Sequence, residues 1–210
     1  MNHIVLLGDS IFDNAAYVGG GPDVISQVQA GLPPGWQASL AAVDGSVAAD
    51  VAGQIAHMPP TATHLVVSAG GNDGLTRAQI LYGPAGTVGE AVDKLAGLRA
   101  EFEGNYRRML EALQAVGKPL AACTVYDPNF PDPLMQRVTK TALNIFNDCI
   151  LREAFARGLP VIDLRLVCTT PGDYSNEIEP GIPGGKKIAA AILGLVQNHD
   201  FSRRRTVVYS

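Results

Sequence analysis

Short apolar runs recur along this 210-residue chain, and longer stretches with helical periodicity separate them. Each run is apolar along most of its length, which is typical of strands that helices cover on both faces. Repeated βα units of this kind predict an α/β fold with a mostly parallel, five-stranded sheet. The predicted strands are Ile4 to Leu7, Ala38 to Val43, His64 to Ser68, Leu120 to Val125 and Val161 to Leu164.

Helical periodicity is clearest between Val88 and Val116, where apolar residues recur at spacings of three and four and form one stripe. The following Gly117-Lys118-Pro119 is typical of a helix end, because glycine caps a helix and proline cannot continue it. The predicted helices are approximately Asp13 to Ala30, Ala48 to His57, Val88 to Val116, Pro133 to Arg157 and Pro183 to Asn198.

No linker, internal repeat or low-complexity stretch divides the chain, so we expect a single domain over residues 1–210. The residues from about 200 to 210 are expected to form a tail. An added edge strand is the alternative for this segment, which includes Arg203-Arg204-Arg205.

Composition and charge exclude several classes of protein. Hydrophobic residues make up 47% of the chain, and 16 basic against 20 acidic residues give a net charge of -4. This balance argues against a nucleic-acid partner, because nucleic-acid affinity rests on neutralising phosphates with basic residues. The three cysteines, Cys123, Cys149 and Cys168, are widely spaced and predict neither a disulfide framework nor a zinc site.

The amino-terminal residues have no basic region, and no apolar stretch approaches the length of a membrane span. We therefore expect a cytoplasmic protein without a membrane span. Nothing in the sequence indicates a metal or an organic cofactor, and the oligomeric state is not encoded in any pattern.

Candidate chemistry follows three of the predicted strands, at the sheet edge where parallel α/β proteins bind ligands. The three turns contain Gly8-Asp9-Ser10, Asp44-Gly45-Ser46 and Gly70-Gly71-Asn72-Asp73. These residue types are also ordinary in turns and helix caps, so each turn alone is a weak signal. Their occurrence after successive strands makes the combined signal specific.

A serine at a tight strand-to-helix turn exposes its hydroxyl, and its N–H lies where negative charge is stabilised. The three turns therefore predict one nucleophile, Ser10, and three oxyanion donors. These donors are the N–H groups of Ser10 and Gly45 and the side-chain amide of Asn72.

The three turns resemble those of the SGNH (GDSL-type) hydrolase family, which has Gly-Asp-Ser, then a glycine, then Gly-x-Asn-Asp. The resemblance extends over nearly the whole chain in order and spacing. It implies a three-layer α/β/α, flavodoxin-like fold and Ser10 as the nucleophile. It also implies hydrolysis of a small-molecule ester, for example an acyl or acetyl ester of a lipid or a carbohydrate.

The sequence departs from this family in the last motif, which is Asp-x-x-His followed by proline and contains the general base. Alignment on Pro180 and the final helix places Glu179 at the histidine position and Asn176 at the aspartate position. The four histidines are not expected to replace it. His3, His57 and His64 are predicted at the opposite sheet edge, and His199 at the far end of the last helix.

The two replacements suit one another chemically. A carboxylate is a weaker base than imidazole, but burial raises its pKa. A neutral asparagine beside a glutamate also avoids the repulsion that a second carboxylate would cause. The hypothesis is therefore that Glu179 activates Ser10 and that Asn176 orients Glu179.

Several alternatives remain open at this point. Asp173 or Glu177 in the same loop could be the base, or Glu179 could only anchor the last helix. The chain could then be a binding protein that keeps the oxyanion pocket without catalysis. A third interpretation of the sequence is a flavodoxin-like nucleotide-binding protein, but the sequence lacks a phosphate-binding fingerprint. Phe130 and Tyr82 are candidate pocket walls.

Overall fold

The computed structural model describes all residues from Met1 to Ser210, and a six-stranded parallel sheet lies at its centre. The strand order is β2-β1-β3-β4-β5-β6, with every neighbouring pair parallel. The strands are β1 Asn2–Gly8, β2 Trp36–Leu40, β3 His64–Ser68, β4 Leu120–Cys123, β5 Val161–Ile162 and β6 Val208–Tyr209. The predicted α/β class with a mostly parallel sheet is confirmed, with six strands in place of five.

The carboxyl-terminal segment forms the sixth strand. The expectation that this segment is a tail is therefore wrong, and the alternative of an added edge strand is confirmed. Val208 pairs with Val161 and Tyr209 with Ile162, so the segment extends the sheet beyond β5. The ring of Tyr209 also lies 6.0 Å from that of His199. Pairing satisfies the backbone groups that β5 would otherwise expose at the edge of the sheet.

Seven α-helices surround the sheet. They are α1 Val24–Ala30, α2 Val51–Gln54, α3 Gly71–Leu75, α4 Val88–Ala115, α5 Pro133–Arg157, α6 Leu164–Val167 and α7 Ile182–Asn198. Short 3₁₀ turns occur at Ala15–Tyr17, Ile55–His57, Ala78–Tyr82 and Pro171–Asp173. Helices α1 and α7 pack together, and so do α4 and α5, which gives a helical layer on each face. No helix combines the length and the apolar character needed to cross a membrane.

The first helix is much shorter than the sequence predicts. Gly19 and Gly20 have φ values of 59° and 83°, which end the initial turn and do not fit a helix. Helix α1 begins only after Asp23, whose side chain accepts a hydrogen bond from the N–H of Ser26 at 2.9 Å. Asp132 caps α5 in the same way through Met135.

The connections around β1 place a crevice at the carboxyl edge of the sheet. The chain runs from β1 to β2 on one side and then returns to β3 on the other side of β1. Ligand sites of open α/β sheets form at such a switch in strand order. The turns that contain Ser10, Gly45 and Asn72 all leave the sheet at this edge.

Candidate active site

Ser10 lies in the tight turn that directly follows β1. The carbonyl of Asp9 accepts hydrogen bonds from the N–H groups of Phe12 and Asp13, both at 3.1 Å, which curl the chain around Ser10. The N–H of Ser10 itself has no partner. Gly8 makes the turn possible, because its φ is 127° and a Cβ there would lie 1.7 Å from the carbonyl oxygen of Ser68.

The hydroxyl of Ser10 donates a hydrogen bond to Oε1 of Glu179 at 3.0 Å, across 169 positions of sequence. Both side chains are buried, and Oε2 of Glu179 has no hydrogen-bond partner. Burial raises the pKa of Glu179 to about 7, against the opposing effect of the hydrogen bond from Ser10, and the charge of Asp44 adds to the rise. Glu179 is therefore a stronger base than an exposed carboxylate.

Glu179 is the last residue of a tight loop, and the side chain of Asn176 forms hydrogen bonds with the backbone of this loop. Oδ1 of Asn176 accepts hydrogen bonds from the N–H groups of Ile178 at 2.9 Å and Glu179 at 2.8 Å. The N–H of Ser175 donates to the carbonyl of Glu179 at 2.9 Å and closes the loop. The exposed Asn176 side chain makes no hydrogen bond to the Glu179 carboxylate, so the orientation of Glu179 by Asn176 that the sequence suggests acts through the loop backbone.

Two buried side chains attach this loop to the rest of the site. Nδ2 of Asn14 donates to the carbonyl of Pro180 at 3.0 Å, and Oδ1 of Asn14 accepts from the N–H of Val24 at 2.9 Å. The hydroxyl of Tyr126 donates to the carbonyl of Ile178 at 2.7 Å. The residues on both sides of Glu179 are therefore held in place. Sequence reasoning missed both roles, because neither partner is near in the chain.

The two alternative bases of the loop lie elsewhere. Asp173 is buried, but it pairs with the Lys187 ammonium at 2.7 Å and accepts from the N–H groups of Thr169 and Thr170. Burial raises the pKa of Asp173, but these partners outweigh it and lower the pKa below the ordinary value. Glu177 is exposed. Of the three carboxyl groups, only that of Glu179 contacts the Ser10 hydroxyl.

None of the four histidines bonds to the Ser10 hydroxyl, and none lines the adjoining cavity. His3 lies between Thr61 and Ser39, with its ring nitrogens 2.8 and 2.6 Å from their hydroxyl oxygens. His64 begins β3 at the amino edge and stacks on a tryptophan. His199 follows the end of α7 and contacts the hydroxyl of the last tyrosine.

The predicted oxyanion donors are only partly brought together. Asn72 lines the same cavity as Ser10 and Glu179, and its Nδ2 donates one hydrogen bond to the carbonyl of Ser46 at 3.0 Å, which leaves its second N–H free. The N–H of Gly45 also has no partner. Gly45 does not line the cavity, so its contribution stays a prediction.

Asp9 is a buried carboxyl group that sequence reasoning did not single out. Its Oδ1 accepts a hydrogen bond from the N–H of Ile11 at 3.1 Å, and the residue lines the cavity beside Ser10. Burial raises the pKa of Asp9 to about 8, against that hydrogen bond, and the charges of Glu179 and Asp73 add to the rise. The raised pKa favours the protonated, neutral form of Asp9, which avoids a second negative charge beside Glu179 and Ser10.

An apolar cavity of about 230 Å³ opens beside Ser10. Hydrophobic residues account for 16 of its 25 lining residues. Phe130 and Tyr82 belong to the lining, as the sequence predicts. Seven lining residues, such as Leu98 and Phe146, come from helices α4 and α5, which sequence reasoning assigned only to the helical layer. The structure contains no group of three or more side chains that could hold a metal ion.

Comparisons with known proteins bear on the family and the fold of the chain. Residues 6–181 match the model of the GDSL-like Lipase/Acylhydrolase family. A lipolytic G-D-S-L family protein from Veillonella parvula has a TM-score of 0.68 at 14% identity, with 95% of this chain and 100% of that one covered. An extracellular lipase from Streptomyces rimosus has 0.67 at 14%, with 95% and 100% covered. A phospholipase A1 from Streptomyces albidoflavus has 0.67 at 13%, with 95% and 99% covered. The search of curated proteins found no match.

Proposed function

The chain belongs to the GDSL-like lipase/acylhydrolase family and is a hydrolase of ester bonds, and from this premise we propose that it forms an acyl-enzyme on Ser10 with Glu179 as general base. The observation that carries the proposal is the 3.0 Å hydrogen bond from the Ser10 hydroxyl to the Glu179 carboxylate. A base within hydrogen-bond distance of the nucleophile is the geometric requirement for activating a serine.

In the first half-reaction, Oγ of Ser10 attacks the ester carbonyl while its proton moves to Glu179. The resulting oxyanion accepts hydrogen bonds from the N–H groups of Ser10 and Gly45 and from the amide of Asn72. The ester C–O bond then breaks, and the alcohol leaves with the proton that Glu179 gives back. Loss of one such donor costs about 10² to 10³ in kcat in a comparable oxyanion hole.

In the second half-reaction, a water molecule attacks the acyl carbonyl and gives its proton to Glu179. The bond between the acyl carbon and Oγ of Ser10 then breaks, and the serine oxygen recovers the proton. The carboxylic acid leaves, so one ester and one water yield one alcohol and one acid. Glu179 accepts and returns one proton in each half-reaction, which suits a pKa of about 7.

The second candidate function is a binding protein that keeps the pocket without catalysis. The observation in its favour is the absence of a histidine from the site, because a carboxylate is ordinarily the weaker base. Such a protein would have an unreactive Ser10. The two candidates therefore differ in one measurable property, the nucleophilicity of a single hydroxyl.

Labelling with a fluorophosphonate, followed by intact mass and peptide mapping, tests the proposal. We expect one label on Ser10 of the wild type, none on Ser10→Ala, and labelling at least 100-fold slower in Glu179→Gln, a loss of about the size assigned to general base catalysis. Glu177→Gln is the matched control, since Glu177 is an exposed carboxyl of the same loop. Equal labelling of Glu179→Gln and wild type overturns Glu179 as base. No labelling between pH 5 and 9 indicates the binding protein.

A further inference from the structure

The cavity beside Ser10 has a polar end and an apolar wall. The two come largely from different parts of the chain. Asp9, Ser10 and Glu179 come from turns and loops at the carboxyl edge of the sheet, and Asn72 comes from the first turn of α3 at the same edge. Eleven of the sixteen apolar side chains come from residues 75–82 ahead of α4, from α4 itself and from the first half of α5, and the other five come from the turns and loops at the carboxyl edge. The eleven include Ile80, Leu95, Leu98, Met135, Leu143 and Phe146.

The polar atoms of the apolar wall already have partners within the protein. The guanidinium of Arg77, the one cation in the lining, is paired with Glu101 at 2.6 Å. The hydroxyls of Tyr82 and Thr139 both donate to the sulfur of Met135, at 3.5 and 3.4 Å. A sugar hydroxyl or a second charge buried here would therefore lose water without gaining a hydrogen bond, which is unfavourable.

From this division and the volume of about 230 Å³ we infer that the cavity is the binding site for an apolar acyl chain much longer than acetyl. The inference rests on the proposed function and specifies its substrate class. The cavity is assigned to the acyl group and not to the alcohol, because the acyl group stays bonded through both half-reactions to Ser10, which lines the cavity. The alcohol must leave toward solvent after the first half-reaction.

Gly74 and Phe146 set the space that the chain can fill. A Cβ at Gly74 would meet only Cε2 and Cζ of Phe146, both at 3.9 Å, so a larger side chain there extends into the cavity without a backbone clash. Phe146 is buried and packs against Phe102 with ring centroids 4.9 Å apart and the ring planes tilted by 55°. Gly74→Leu therefore shortens the cavity, and Phe146→Leu lengthens it.

The first test is the chain-length profile of p-nitrophenyl esters from acetate to decanoate. Burial of each added methylene is expected to raise kcat/KM by about fourfold until the cavity is full. Alkyl acetates with alcohol parts of increasing length are the matched series, and we expect no such rise along it. A maximum at acetate, or an equal rise along the alkyl acetates, overturns the inference.

The second test compares cavity variants by the ratio of kcat/KM for the octanoate and acetate esters. We expect Gly74→Leu to lower this ratio at least tenfold and Phe146→Leu to move the preference toward longer chains. Gly97→Leu is the control, because Gly97 lies exposed in α4 with no atom within 4 Å of its Cβ position. An unchanged ratio in Gly74→Leu overturns the inference.

A binding measurement separates this inference from the proposed function. Methyl acetate, methyl hexanoate and methyl octanoate are titrated into Ser10→Ala, which cannot form an acyl-enzyme, and into Ser10→Ala/Gly74→Leu. Tighter binding of the longer esters that the second substitution abolishes supports the acyl-chain site even when Ser10 of the wild type does not react with a fluorophosphonate. Equal affinity for all three esters refutes the site even when Ser10 is reactive.

Discussion

The hydroxyl of Ser10 donates its hydrogen bond to a carboxylate oxygen of Glu179, at 3.0 Å, in a site that no histidine enters. A carboxylate can hold this position because the second oxygen of Glu179 is buried without a partner and the whole group is poorly solvated. Poor solvation destabilises the charged form and so increases its affinity for the serine proton. The low basicity of a carboxylate is thereby offset.

The pH dependence of ester hydrolysis should have two limbs. Activity is expected to rise as Glu179, with a pKa of about 7, loses its proton. It is expected to fall as Asp9, with a pKa of about 8, gains a negative charge beside the developing oxyanion. Values of kcat/KM determined between pH 5 and pH 10 measure both limbs. Asp9→Asn should keep the acid limb and lose the alkaline one, and an unchanged profile would exclude Asp9 as the origin of that limb.

Burial of Asp9 should also make folding stability depend on pH. Because the folded pKa of about 8 lies above the unfolded value of about 4, the folded state binds the proton more tightly and stability falls as pH rises between these values. Asp9→Asn should melt at a higher temperature than wild type at pH 8, by at least about 3 °C. The difference should shrink toward pH 5. Asp93→Asn, at an exposed position of α4, is the control.

Substitutions of Asn176 distinguish whether its side-chain oxygen or its amide N–H is the group that the Glu179 loop requires. Its Oδ1 accepts from the N–H groups of Ile178 and Glu179, so an acceptor is what the loop requires. Asn176→Asp should retain most of the wild-type kcat/KM, whereas Asn176→Ala should lose about fivefold, equivalent to about 1 kcal/mol for a lost cap. If Asn176→Asp were the more damaging variant, the amide N–H, and not Oδ1, would be the essential group.

The start of α7 tolerates no side chain at Gly184. A Cβ there would lie 2.1 Å from the carbonyl oxygen of Asp173, whose own segment adjoins the Glu179 loop. Gly184→Ala should lower the free energy of unfolding by about 2–3 kcal/mol, as overpacking does. Gly194→Ala, in the same helix with open space at its Cβ position, should have no such cost. Urea unfolding compares the two, and similar losses would contradict the steric explanation.

Features that depend on neighbouring residues could be predicted from the sequence. Apolar runs located five of the strands, and the turns after β1 and β3 placed Ser10 and Asn72 at one edge, because parallel strands end together. Alignment on Pro180 also selected Glu179. The long helix expected after Asp13 was wrong because a pattern of apolar residues does not register the positive φ values of Gly19 and Gly20.

Features that depend on distant residues could not be predicted in this way. The contact between Ser10 and Glu179 spans 169 positions, and the basicity of Glu179 follows from how completely other segments exclude water. The same holds for Asp9, whose neighbours in sequence give no sign of its burial. The cavity wall joins α3, α4 and α5, and the last strand pairs only because β5 has a free edge. Desolvation and packing are properties of the assembled chain, and no local pattern contains them.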